Sequence, residues 1–179
     1  MIVPGRTLGP HQPLLFYAAA AARARGATVE VVDWQPPPPT DPVMATSAAR
    51  RYWVLDQVRP VLDQTPAAPL VVGKSLATYA AALAAERHLP AVWYTPLLLD
   101  DLVVAALRAA TAPFLLIGGT ADTGAWDGGL ARSLTPYVCE IPEADHLLMV
   151  PAGLSASTAV LGEVTAAVQR FLDEVVWPA

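Results

Sequence analysis

Short apolar, β-branched runs alternate along this chain with alanine- and leucine-rich segments of helical length, and that alternation limits the possible folds more than any other feature. The runs are Met1-Ile2-Val3, Thr28 to Trp34, Pro69 to Val72, Ala91 to Tyr94, Phe114 to Ile117 and Tyr137 to Ile141, each of strand length. Between them, Pro13 to Arg25, Val43 to Gln64, Leu76 to Arg87, Leu97 to Ala110, Trp126 to Ser133 and Ser155 to Val176 have helical composition. Such alternation favours right-handed crossovers that place helices on both faces of a mostly parallel sheet, whose doubly covered strands read as unbroken apolar runs. The expected class is therefore α/β, doubly wound.

A length of 179 residues suits one domain spanning the whole chain. With 54% hydrophobic and only 15% charged residues, the chain is too apolar to be disordered. The prolines of Gln35 to Pro42 predict a stiff, extended connector before the second helix. A net charge of -5, with arginines scattered rather than clustered, argues against a nucleic-acid partner. Met1 to Arg6 lacks the features of a secretion signal, and the apolar run Leu14 to Ala22 is too short to cross a bilayer, so no membrane association and a cytoplasmic location are expected. Cys139 is the only cysteine, which excludes an intramolecular disulfide and gives no sign of export or of a cysteine-based metal site; it reads as a buried strand thiol.

Chemistry enters at Val71-Val72-Gly73-Lys74-Ser75-Leu76-Ala77, where a serine stands between an apolar strand and an alanine-rich helix. A sharp strand-to-helix turn lifts such a hydroxyl clear of the sheet, and the following N–H groups favour negative charge beside it. Leu76 N–H is a candidate donor to an oxyanion. Small residues are needed two before and two after the serine, where backbones crowd; Gly73 and Ala77 meet the need, Ala77 departing by one methyl from G-x-S-x-G. Taken alone, the serine also suits a helix cap. Lys74, the only lysine, reads either as a solvated side chain or as a charge in the pocket that steers acidic substrates.

Two further strand ends carry titratable groups. Phe114 to Ile117 leads through Gly118-Gly119-Thr120-Ala121 to Asp122, and Tyr137 to Ile141 leads through Pro142-Glu143-Ala144-Asp145 to His146. Residues leaving the carboxyl ends of parallel strands share the edge on which open sheets bind ligands. A serine hydroxyl needs an imidazole to take its proton and a carboxylate to fix the imidazole tautomer, and Ser75, His146 and Asp122 supply the set. Asp127 and Asp145 compete for the acid role. Asp145 adjoins His146 and should point elsewhere, bracing the loop.

With these motifs in hand, the chain resembles the α/β-hydrolase superfamily, and is most similar to its small, lidless members. Val72 to Ala77 is similar to the family's nucleophile elbow, Leu116 to Asp122 to its acid-bearing strand end, and Ile141 to Leu147 to its histidine loop. The resemblance implies six strands in the order 2-1-3-4-5-6, without the family's leading antiparallel hairpin. It also implies a second oxyanion N–H from the loop after the first strand. Pro4 stands where the family carries histidine, so Arg6 or Thr7 would supply that N–H, with Gly5 giving the backbone freedom.

His11 and Trp126 are candidate pocket residues, and Trp34, Trp53 and Tyr94 candidate cleft aromatics; His88 reads as a helix-terminal residue. The expected activity is hydrolysis of a carboxylic ester or thioester of a small-molecule acyl substrate, without cofactor or metal. Acyl transfer, cyclisation or carbon-carbon bond cleavage by the same three residues is an alternative, and a noncatalytic flavodoxin-like binding domain is another. The latter lacks a glycine-rich phosphate loop after the first strand. A homodimer is left open by the sequence.

Overall fold

The computed structural model describes residues 1–7, 9–38, 44–65 and 68–178. Along them run β1 (Ile2–Val3), α1 (Pro13–Arg23), α2 (Ser47–Gln64), β2 (Val71–Lys74), a 3-10 helix (Ser75–Ala80), α3 (Ala81–Glu86), β3 (Ala91–Tyr94), α4 (Asp101–Ala109), β4 (Phe114–Gly119), α5 (Gly128–Leu134), β5 (Val138–Ile141) and α6 (Leu154–Phe171). A π-helical turn, Leu172–Val176, continues α6. Pro39 to Val43, the end of the proline-rich connector and the expected start of the second helix, lies outside the described residues, as does Leu8.

All five strands are parallel, in the order β1-β2-β3-β4-β5. Side chains alternate across a pleated strand, and here each parity meets its own set of helices. Val3, Val71, Trp93 and Leu116 pack with Val54 and Val58 of α2, Leu83 of α3 and Leu107 of α4. Ile2, Val72, Val92, Tyr94, Leu115 and Ile117 face Leu15 and Ala18 of α1 and Val164, Val168 and Phe171 of α6. Burying each such aliphatic side chain contributes about 1.5–3 kcal/mol before the entropy of ordering it is counted. Helices on both faces therefore follow from strands whose central residues are apolar on both faces.

The expected strand Thr28 to Trp34 is a correction, and with it the six-stranded sheet. It survives as a single parallel bridge between Ile2 and Val31 on the outer side of β1. The ladder there consists of Ile2 N–H to Glu30 O at 2.8 Å and Val32 N–H to Ile2 O at 2.9 Å. Its next rung calls for an N–H at residue 4, which is proline and has none. Trp34 instead donates its indole N–H to Gly5 O at 3.2 Å, which ties the segment to the loop leaving β1. Among the described residues, no helix is long and apolar enough to cross a membrane.

The bridge generates a paired prediction. Val32 is buried and its amide carries one of the two rungs, whereas among the described residues no backbone hydrogen bond is made by the Val31 amide. Val32→Pro should destabilise the fold by at least about 1–3 kcal/mol, and Val31→Pro by less, as read from urea unfolding midpoints.

Candidate active site

β2 ends at Lys74, and the chain turns at once into the 3-10 helix that begins with Ser75. Ser75 adopts φ 53°, the left-handed region that a non-glycine residue enters at a cost of about 1–2 kcal/mol. The turn is tight because backbones meet there. A Cβ at Gly73 would lie 2.7 Å from Trp93 Cζ3 and 2.9 Å from Ala77 Cβ. The methyl of Ala77 is thus accommodated opposite a residue that carries none, which explains how this elbow departs from G-x-S-x-G. As the second residue of its helix, Leu76 has an N–H with no acceptor inside the helix, free for an anion.

The loops after β4 and β5 are zipped together beyond the strands. Thr120 N–H donates to Ile141 O and Ala121 N–H to Ala144 O, both at 3.0 Å, while Glu143 N–H donates to Thr120 Oγ1 at 2.8 Å. A Cβ at Gly119 would sit 2.1 Å from Ala144 O, so this approach requires glycine. Asp145 accepts from Leu147 N–H at 2.8 Å and Met149 N–H at 2.9 Å, which folds the histidine loop back on itself.

These loops bring three expected residues together. His146 Nδ1 lies 2.6 Å from Asp122 Oδ2, and His146 Nε2 lies 2.8 Å from Ser75 Oγ. A carboxylate only accepts, so the ring proton resides on Nδ1, which leaves Nε2 to accept the Ser75 hydroxyl. The Asp122 side chain is 7% exposed against 37% for His146, so the acid is shielded while the imidazole is reachable. The rival acids are occupied elsewhere: Asp127 caps α5 by accepting from Leu130 N–H at 2.9 Å, and Asp145 braces its loop.

Ser75 opens into a cleft of about 380 Å³ lined by Arg6, Ser47, Arg50, Leu97, Leu99 and Asp100 together with Leu76 and Gly124. The loop after β1 lies against the nucleophile, since a Cβ at Gly5 would stand 3.9 Å from Ser75 Cβ. Arg6 and Thr7 are both exposed, with Arg6 in the cleft wall. Sequence patterns gave no sign of Arg50 and Asp100. They belong to a network in which Arg50 Nε donates to Tyr79 Oη at 3.0 Å, Tyr79 donates to Asp100, and Asp100 caps α4 through Leu102 N–H at 3.0 Å. Its members come from three separate elements.

Three expected pocket residues take other places. Lys74 is only 3% exposed and turns inward, neither solvated nor available to steer substrates; burial pushes its pKa down to about 8 against the opposing pull of Asp122 and Asp145. Trp126 is buried over Gly118 and donates its indole N–H to Glu140 Oε2 at 2.7 Å, outside the Ser75 cleft. His11 is exposed and does not line that cleft. Trp34 packs on Trp53 with ring centroids 4.8 Å apart and planes tilted by 52°, and Tyr94 is buried in the core. Cys139 is half-buried on β5, and burial pushes its thiol up to about 11. Among the described residues, no cluster of His, Cys, Asp and Glu side chains is arranged to hold a metal ion.

The strained elbow and the glycine contact each predict an outcome. Ser75→Gly should be more stable than Ser75→Ala by about 1 kcal/mol, because glycine enters positive φ without steric cost; chemical denaturation of the two variants measures it. Gly119→Ala should lower the melting temperature and the reactivity of Ser75 together, since its methyl drives the histidine loop away from Asp122.

No family model matches the sequence, and no curated protein does. Solved structures do share its architecture. An alpha-beta serine hydrolase homologue from Coxiella burnetii superposes with a TM-score of 0.64 at 12% identity, over 96% of this chain and 83% of the other. A lidless a/b serine hydrolase from Xanthomonas campestris does so with a TM-score of 0.61 at 18% identity, over 99% and 82%. The esterase Pf2001 of Pyrococcus furiosus gives 0.64 at 14% identity, over 97% and 82%. The chain therefore has the fold of the α/β hydrolases.

Proposed function

We propose that this protein is a serine hydrolase that cleaves a carboxylic ester or thioester through an acyl-enzyme. The observation that carries the reading is one imidazole hydrogen-bonded to Ser75 Oγ on one side and to Asp122 on the other. In the first half-reaction His146 Nε2 takes the hydroxyl proton as Ser75 Oγ attacks the acyl carbon, then gives that proton to the departing alcohol or thiol. Water repeats the sequence on the acyl-enzyme and releases the acid. Asp122 holds the ring in the tautomer with Nδ1 protonated and stabilises the imidazolium that forms.

The developing oxyanion is met by Leu76 N–H and by a second N–H from Arg6 or Thr7, whose loop lies against the nucleophile. The scheme needs no cofactor or metal. Likeness to serine hydrolases and an esterase supports hydrolysis as the reaction class. The cleft is small and has arginine, serine and aspartate in its walls, which favours short acyl groups over long aliphatic ones.

Labelling with a fluorophosphonate tests the assignment. The wild type should be modified at Ser75, and Ser75→Ala should not; modification that persists in that variant places the nucleophile elsewhere. Asp122→Asn should lower kcat for p-nitrophenyl acetate by about 10⁴-fold, whereas Asp127→Asn should change it little. Across a p-nitrophenyl ester series, kcat/KM should fall as the acyl chain lengthens, and product analysis should return the free acid.

A further inference from the structure

We propose that Lys74 is a positioning residue for His146, holding the histidine loop against the end of the sheet through the main chain of the imidazole-bearing residue itself. The inference goes beyond the assignment of Ser75, His146 and Asp122 and rests on it.

The geometry is specific. Lys74 has the strand parity of Val72 and so points to the α1 and α6 face rather than toward the cleft. Its Nζ donates to Thr95 Oγ1 at 3.0 Å and to His146 O at 2.9 Å. Thr95 is fully buried and takes φ 42° immediately after β3. The charges facing Lys74 are the carboxylates of Asp122, from the loop after β4, and Asp145, from the histidine loop. One side chain therefore links β2, β3 and the loop after β5, at the residue preceding the nucleophile.

A buried amine is an expensive way to brace a loop, and an apolar residue of the same length packs as well. What the ammonium adds is a charge-assisted bond to a carbonyl, roughly twice as strong as a neutral one. His146 has to reach Ser75 and Asp122 at once, and an error of about 1 Å in such a relay costs about 100-fold in rate. Burial sets the two effects of pH in opposite directions. With its pKa lowered from 10.5 to about 8, the lysine destabilises the folded state while charged, and that penalty disappears as pH rises through this interval. Over the same interval the tether weakens, because a neutral amine replaces the ammonium.

Lys74→Met is the test, read in three ways. With p-nitrophenyl acetate, kcat should fall about 10- to 100-fold with little change in KM. The wild type should lose activity through an alkaline limb near pH 8 that the variant lacks, while wild-type stability relative to the variant rises over the same range. A plain structural strut would lose both together. In protein labelled with ¹⁵N-histidine, the downfield proton on His146 Nδ1 should be sharp in the wild type and broadened in Lys74→Met.

Unchanged kcat with a sharp imidazole proton in the variant overturns the proposal. If the variant does not fold, the wild-type profile decides, and absence of the limb near pH 8 overturns it. Activity that survives Ser75→Ala would defeat the nucleophile assignment separately, because the imidazole proton reports on the tether without any substrate.

Discussion

Ser75 leaves β2 and Asp122 follows β4, and between those strands stands β3. Neighbouring strands lie about 4.8 Å apart, so the hydroxyl and the carboxylate start from positions roughly 10 Å apart across the sheet and cannot touch. Only a flat group with a hydrogen-bonding atom at either end closes that gap, and the His146 ring does so with contacts of 2.6 and 2.8 Å. The rest of the structure serves this span. The parallel sheet puts three strand ends on one edge, glycines let the loops approach, and two sets of helices keep the strands dry.

Much of this arrangement was legible in the sequence because it is written in local patterns. Ala91 to Tyr94 was bounded correctly, since an apolar tetrapeptide after Leu89-Pro90 and before Thr95-Pro96 has few other uses. That Ser75, Asp122 and His146 lie on one edge of the sheet could be expected because each follows an apolar run by a short polar or glycine-bearing stretch, and a parallel sheet sends all such stretches the same way. The bracing role of Asp145 followed from short-range turn chemistry, whereas the use of Asp127 as a cap for α5 is seen only in the structure.

What escaped was information held between elements. Thr28 to Trp34 has good strand composition, yet pairing needs a partner, and the partner is two residues long and is followed by proline. The helix after Ser75 begins as a 3-10 segment, because the elbow's crowding governs its first turns more than alanine propensity does. Trp126 was assigned to the pocket on aromatic character alone, while its position is fixed by the bare backbone of Gly118 and by Glu140. The inward direction of Lys74 did leave a signal: it stands two residues after the buried Val72 on the same strand. Charge obscured it, since lysine is read as a surface residue by habit.

Because its single lysine lies beneath the sheet's edge, the folded chain carries its permanent positive side-chain charge at the surface on guanidinium groups. Reagents that acylate or cross-link side-chain amines have nothing to seize while the native packing holds. The same amine becomes accessible once the strand ends part, so its rate of capture would clock how often this molecule opens.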